Sequence, residues 1–156
     1  MSLGKLAFVS FEPINGQYMG FLSIEAAISS DRDPEAVLRE AANIYEGSIK
    51  RMRSILAEIE AARTNHKPIP ARKIWQIGHA IFELRDDLRR LGLQLDGVYD
   101  HLTRDLGVKR KWLEKVVTLR RYIPDKSLIP ESLNWGRCEK GTRRIAERLN
   151  KGLPLE

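Results

Sequence analysis

The chain has 156 residues, of which 42% are hydrophobic and 31% are charged, and its formal net charge is +6. This length suffices for one domain with a sizeable core but not for two independent ones. No run of about 18 uncharged apolar residues is present, which argues against a membrane-spanning helix, and the first residues do not resemble a signal peptide. We therefore expect one mainly α-helical domain located in the cytoplasm.

Residues 1–30 are predicted to form an N-terminal β-hairpin extension. Strand-like segments at 6–11 and 18–24 flank Asn15-Gly16, a pair that readily adopts the positive φ angles of a hairpin turn. A lone hairpin is only marginally stable in water. We expect it either to lie on the helices or to pair with another chain.

Residues 31–156 are predicted to form a helical domain that begins with a long antiparallel helical hairpin over 33–92. The first helix begins at Pro34 after a capping aspartate, and the second ends before Gly92, a residue that commonly terminates helices. The predicted bounds of the two helices are 34–62 and 71–91.

An apolar seam runs along the first of these helices in steps of four and three residues. Its members are Leu38, Ala42, Tyr45, Ile49, Met52, Leu56 and Ile59. Such a heptad-like seam packs either against the second helix or against another copy of the chain. If the chain forms a homodimer, the seam over 38–59 is the predicted interface.

A helix-turn-helix is predicted over 96–123, with Gly107 as the turn residue. The five positions at which the two helices of such a motif touch are all aliphatic here, namely Leu102, Leu106, Val108, Leu113 and Val116. On a helical wheel, the apolar residues of the second helix gather in an arc of about 160°. The opposite face carries Arg110, Lys111, Glu114, Lys115, Thr118 and Arg121.

This outward face is the one that enters the major groove in a helix-turn-helix. We expect its residues, with Lys109 beside them, to contact double-stranded DNA, and we expect Tyr99, His101 and Arg104 on the preceding helix to touch phosphates. A basic face that merely contacts solvent is the alternative. Arg120 falls within the apolar arc, so its stem is expected to lie along the edge of the core.

The C-terminal segment, 125–150, is predicted to contain a proline-bounded turn and a helix near 142–149. Arg143, Arg144 and Arg148 are expected to contact phosphates beside the recognition helix, although a solvated tail helix has the same pattern. Residues 1–66 carry seven Lys/Arg against nine Asp/Glu, whereas residues 67–156 carry twenty against twelve. This asymmetry favours an anionic partner for the C-terminal part.

The stretches IWQIGHAIFELRDDL and VYDHLTRDLGVKRKWLEKVVTLRRYIP resemble a known family. The matching residues are Trp75, Gly78, Ile81, Leu102, Asp105, Leu106, Tyr122 and Pro124. Over about a third of the chain, they resemble the N-terminal domain of PD-(D/E)XK nucleases found near bacterial mobile-element and restriction loci. The resemblance implies a helix-turn-helix or winged-helix-like DNA-binding domain. The nuclease half of that family lies downstream, and no Asp followed by Glu-x-Lys on a strand-like segment occurs here, so no nuclease activity is expected.

Other chemistry is sparse in the sequence. Cys138 is the single cysteine, the three histidines have no metal-ligand spacing, and we predict no catalytic residues, metal or cofactor. The expected function is therefore non-catalytic DNA binding, as a transcription regulator or as the targeting subunit of a defence or mobile-element system. One alternative is a helical interaction subunit that docks onto a larger nuclease or methyltransferase. A second is a HEPN-like ribonuclease using Arg72 and His79.

Overall fold

The computed structural model describes residues 7–14, 17–21, 34–95 and 98–155, and it is mainly helical. The described residues form two compact units. The first unit contains the residues up to Lys50 together with Phe82–Gly107, and the second contains Arg51–Ile81 and the residues from Val108 onward. None of the helices in these described ranges is long and apolar enough to cross a membrane.

Two long helices, α1 (Pro34–Thr64) and α2 (Ala71–Arg90), contribute to both units. Their bounds agree with the prediction from hydrophobic periodicity. In the second unit the two helices run antiparallel. Near the connecting loop the ammonium of Lys73 lies 2.7 Å from the carboxylate of Glu58, and farther from the loop Arg51 lines a common groove with His79. After α2 the chain turns at Gly92, whose φ of 75° lies in the left-handed region that favours glycine.

The buried stripe of α1 differs in part from the predicted seam. Tyr45, Ile49, Met52 and Ile59 are buried as expected, but the other buried apolar residues are Val37, Ala41 and Ile55. Leu38, Ala42 and Leu56 are only half-buried. A straight α-helix drifts relative to a strict seven-residue repeat, which accounts for the shift of one position. The buried members of the seam therefore pack within a single chain, and a homodimer through 38–59 stays a prediction.

The first unit also contains a three-stranded sheet of order β2-β1-β3, formed by β1 (Ala7–Ile14), β2 (Gln17–Phe21) and β3 (Leu93–Leu95). The strands β1 and β2 pair antiparallel, whereas β3 pairs parallel with β1. The turn residues predicted between the first two strands, 15–16, lie outside the described residues. Helix α3 (Val98–Leu106) follows, and the core of this unit contains Tyr45, Leu84, Leu88, Leu93 and Leu102.

The second unit contains three further helices and a short 3-10 turn. They are α4 (Arg110–Tyr122), the turn at Lys126–Leu128, α5 (Trp135–Glu139) and α6 (Thr142–Asn150). Asn134 caps α5, since its side-chain oxygen accepts a hydrogen bond from the backbone N–H of Arg137 at 3.0 Å. A hydrogen bond connects the loop before α2 to the start of α5. The backbone N–H of Trp135 donates to the Ile69 carbonyl at 2.7 Å.

Candidate nucleic-acid interface

Helix α4 has one buried and one exposed face, as the helical wheel predicts. Leu113, Val116 and Leu119 have no exposed surface, and Val117 is 1% exposed. The exposed residues on the other face are Arg110, Lys111, Glu114, Lys115 and Arg121, while Thr118 is half-buried. The second helix of the predicted motif therefore presents its cations to solvent, and its apolar side anchors it in the second unit.

Two of these cations form ion pairs. Arg110 Nε lies 3.4 Å from Glu114 Oε1, one helical turn away. Lys115 Nζ lies 3.1 Å from Glu139 Oε1, which connects the exposed face of α4 to the end of α5. Within the described residues, the side chains of Lys111 and Arg121 have no ion-pair or hydrogen-bond partner. These two cations are therefore available to an anionic ligand without breaking an existing contact.

The remaining predicted contacts of the second unit differ in their availability. Lys109, Arg143 and Arg144 are exposed. Thr118 is engaged locally, since its hydroxyl donates to the Glu114 carbonyl at 2.7 Å. Arg148 is half-buried, and its guanidinium donates to the carbonyl of Pro154.

The three predicted phosphate contacts of helix α3 belong to the first unit. His101 is buried, at 7% exposure, and its ring meets Tyr45 edge-on with 6.4 Å between ring centroids. Burial leaves little of the His101 ring accessible to a phosphate, and the contact stays a prediction. Arg104 is exposed but pairs with Asp105 at 3.1 Å. Tyr99 is half-buried beneath the guanidinium of Arg85, which lies 5.7 Å from its ring centroid.

The turn between α3 and α4 has the local geometry that its glycine predicts. Gly107 has a φ of 67°, and its N–H donates to the Thr103 carbonyl at 2.9 Å, so the chain leaves α3 through a left-handed residue. Helix α3 belongs to the first unit and α4 to the second. The helix-turn-helix as a packed motif stays a prediction.

Gly78 on α2 allows a close approach to α4. A Cβ atom at this position would lie 2.8 Å from the Val116 carbonyl oxygen and 2.8 Å from Arg120 Cβ, a separation that real side chains do not adopt. Only glycine therefore fits at this crossing, which holds the buried face of α4 against α2. The same glycine is one of the residues on which the family resemblance depends.

Arg120 is held by an aromatic and a histidine on α2. Its Nε donates to His79 Nδ1 at 3.1 Å, and its guanidinium carbon lies 5.4 Å from the centre of the Trp75 ring. The rings of Trp75 and His79 stack, with centroids 4.7 Å apart, and the indole N–H donates to the Ile123 carbonyl at 2.6 Å. Because the arginine can only donate, His79 accepts through Nδ1 and carries its proton on Nε2. Arg120 is therefore a structural cation.

A groove of about 650 Å³ lies beside this stack. Its walls include the cations Arg51 and Lys126, with Trp75, His79 and Asp125. Hydrogen bonds from the hydroxyl and then the backbone N–H of Ser127 hold the pKa of Asp125 below its ordinary value. The carboxylate therefore stays ionised, so the groove contains both signs of charge and is less suited to an anion than the face of α4.

The residues of the ribonuclease alternative serve the fold. Arg72 Nε donates to the Ile129 carbonyl at 2.6 Å, and its Nη1 lies 3.4 Å from Glu131 Oε1. His79 accepts from Arg120 as described above. The contacts of Arg72 fix loop 123–133 to α2, and the contact of His79 fixes α4 to α2.

Cys138 is buried in the second unit, and burial raises the pKa of its thiol to about 11 despite the opposing charge of Arg137. Little thiolate is therefore present at neutral pH, which makes this thiol a weak nucleophile. No group of three or more His, Cys, Asp or Glu side chains that would hold a metal ion occurs in the part of the chain that the structure describes.

Charge is strongly segregated between the two units. The residues of the first unit include eight Lys/Arg against thirteen Asp/Glu, a balance of −5, and those of the second include nineteen against eight, a balance of +11. The comparison of residues 1–66 with residues 67–156 shows only part of this difference in charge, because each long helix contributes residues to both units. The exposed face of α4 therefore belongs to a unit with a strong positive field.

Two further cations near this face, Arg137 and Lys140, were not among the predicted contacts. With Arg144 they line a pocket at the junction of α5 and α6. In the sequence, the only indication of this pocket is that cations lie on both sides of Gly141. Helix α5 has only five residues, so hydrophobic periodicity does not predict the junction.

Comparisons of the chain with protein-family models, with curated proteins and with solved structures found no match. The resemblance to the nuclease-associated domain is therefore a prediction from the motif residues alone.

Proposed function

We propose that this chain is a non-catalytic DNA-binding protein, of the kind that serves as a regulator or as the targeting subunit of a larger complex. The duplex binds to the exposed face of α4, with Lys111 and Arg121 as the principal contacts. Arg110 and Lys115 join them when their present ion pairs yield to phosphates. Arg143 and Arg144 extend the same positive surface along α6.

The observation that carries this proposal is the arrangement of charge on α4. Its cations lie on the side opposite Leu113, Val116 and Leu119, and this side is exposed in a unit with a charge balance of +11. A single exposed α-helix has the right width for the major groove of B-DNA. Cations along that helix release counterions from the phosphate backbone, which supplies most of the affinity of such complexes.

The alternative, that the basic face of α4 merely contacts solvent, explains its charge less well than DNA binding does. Surface charges of both signs are usually interspersed, and here the only acid on the exposed face of α4 is Glu114. Lys111 and Arg121 have no compensating carboxylate within the described residues. The excess of cations therefore favours an anionic partner. The contacts of Arg72 and His79 give no support to a ribonuclease.

The experiment is a titration of a short fluorescent DNA duplex with the full chain, followed by anisotropy at several salt concentrations. Six cations on the proposed surface have no partner within the described residues: Lys109, Lys111, Arg121, Lys140, Arg143 and Arg144. If most of them meet phosphates, the logarithm of the binding constant falls with the logarithm of salt concentration with a slope of about −3 to −5.

Absence of binding to the duplex at low salt would overturn the proposal. So would binding with a slope near zero, because the proposed contacts are electrostatic. A single-stranded RNA of the same length, incubated with the protein and examined for cleavage, tests the ribonuclease alternative in parallel. We expect no cleavage.

A further inference from the structure

We propose that the pocket at the junction of α5 and α6 binds one phosphate group, and that this phosphate belongs to the backbone of the bound DNA. The source of the phosphate rests on the proposed function, whereas the pocket itself does not. The pocket has a volume of about 580 Å³. It is lined by Asn134, Gly136, Arg137, Lys140, Gly141 and Arg144.

The lining of the pocket has the composition of an anion site. Three of its six residues are cations, and none is an acid. The side chains of Lys140 and Arg144 have no ion-pair or hydrogen-bond partner in the described ranges. Two glycines in the lining keep the pocket open, and a Cβ at Gly141 would lie 3.9 Å from Arg144 Nε. The guanidinium of Arg144 therefore lies close to the turn that begins its own helix.

This placement of positive charge is unfavourable for the helix, and a bound anion would offset it. The N-terminus of a helix carries a partial positive charge, and acids in the first turn normally stabilise it. Helix α6 instead has arginines at its second and third positions, no acid in its first turn and no side-chain cap, because its N-cap is Gly141. Arginines thus stand at positions where acidic residues would stabilise the helix, and we infer that a bound anion supplies the missing negative charge.

The start of α6, at the edge of the pocket, also carries backbone donors. The first helical hydrogen bond of α6 runs from Ile145 N–H to the Gly141 carbonyl at 3.0 Å. The N–H groups of residues 142–144 therefore precede the helical ladder and need other partners. A tetrahedral phosphate accepts bonds from such amides and from arginine in the same geometry.

The end of α5, which contributes to the pocket, lies beside the exposed face of α4. Glu139, which contacts Lys115 at 3.1 Å, immediately precedes Lys140 in the pocket. A duplex lying along α4 thus brings its phosphate backbone to the junction. A phosphate contact at a fixed site sets the register of the protein on DNA without reading its sequence.

The first experiment uses inorganic phosphate as the probe. We expect saturable shifts in the ¹H–¹⁵N resonances of Gly141, Thr142 and Arg144 when phosphate replaces chloride at constant ionic strength, with an apparent Kd on the order of 1–10 mM. The double variant Lys140→Ala/Arg144→Ala should bind phosphate at least about tenfold more weakly. Lys151→Ala is the matched control, because it removes a cation from the other end of α6, and it should bind as the unchanged chain does.

Shifts that do not saturate, or equal affinity in the double variant, would overturn the pocket as a phosphate site. The spectrum of the double variant shows directly whether it is folded. Since both altered side chains are partly or fully exposed, we expect it to be.

The second experiment identifies the source of the phosphate. If the DNA backbone fills the pocket, the double variant loses one phosphate contact and reduces the steepness of the salt dependence of duplex binding by about one unit. An unchanged slope, with phosphate binding lost, would overturn the DNA source. If the unchanged chain binds phosphate but no duplex, the proposed function fails while the pocket stands.

Discussion

At the scale of single residues, Gly78 shows how one missing side chain positions the helix that carries the exposed cations. The Val116 carbonyl and Arg120 Cβ both lie 2.8 Å from the point where a Cβ would stand. We expect Gly78→Ala to lower the free energy of unfolding by about 1–3 kcal/mol, because the backbone of α4 has to move. Urea denaturation measures the change.

Gly47→Ala is the matched control, since Gly47 also lies inside a long helix but has nothing within 4 Å of its Cβ position. In that open site alanine should raise the free energy of unfolding by about 0.5–1 kcal/mol, through its better helix propensity. Effects of the same sign at both positions would contradict the close crossing of α2 and α4.

Cys138 provides a second test at this scale. Burial raises the pKa of its thiol from 9.0 to about 11, so below pH 9 the folded protein holds about 100-fold less thiolate than the unfolded chain. Alkylation should be slower by at least this factor in the native protein and should accelerate with pH up to about 11. Equal rates in native and urea-unfolded protein at pH 8 would show that the thiol is exposed.

The sequence predicted which residues of α4 are buried and which are exposed, because helical geometry alone separates the two faces. It did not predict the partners of Arg120. The contacts with His79 and Trp75 join residues more than 40 positions apart, and no local pattern contains that information. The burial of His101 was not predicted for the same reason, since its ring lies against Tyr45 in a distant helix.

At the scale of elements, the link between α4 and α5 limits the charge available to DNA. Glu139 neutralises Lys115 at 3.1 Å. Glu139→Gln should therefore release one cation and raise duplex affinity about three- to eightfold near 0.1 M salt, as one added phosphate contact does. Fluorescence anisotropy measures the change.

Glu147→Gln provides the control, because it changes the net charge equally but frees Lys151 at the far end of α6. A smaller gain is expected there. If the two variants gain equally, the effect comes from net charge, and the specific role of Lys115 is wrong.

The boundaries of the long elements could be predicted from the sequence, and those of the short elements could not. The bounds of α1 and α2 follow from long periodic patterns with a proline start and a glycine stop. The strand β3 has three residues and pairs parallel with β1, more than 80 positions earlier, so its pattern is too short and its partner too distant to predict. The last helix begins at Thr142, close to its predicted start, with Gly141 as its N-cap, and the Thr142 hydroxyl donates to the Cys138 carbonyl.

At the scale of the whole molecule, the division of charge into units of −5 and +11 is the feature that bears most on function. The sequence revealed the excess of cations in its C-terminal part. It did not reveal the full contrast, which depends on how residues of two long helices are shared between the units. A positive field of this size accelerates association with DNA, and its effect declines as salt screens it.

The most direct test of DNA binding through α4 compares two single substitutions that remove the same charge. Lys111→Ala removes an exposed cation from the proposed face, and Arg89→Ala removes an exposed cation from the acidic first unit. The measurement is the salt dependence of duplex binding for both variants and for the unchanged chain. Lys111→Ala should reduce the steepness of the slope by about one unit, and Arg89→Ala should leave it unchanged. Equal slopes for Lys111→Ala and the unchanged chain would contradict the account.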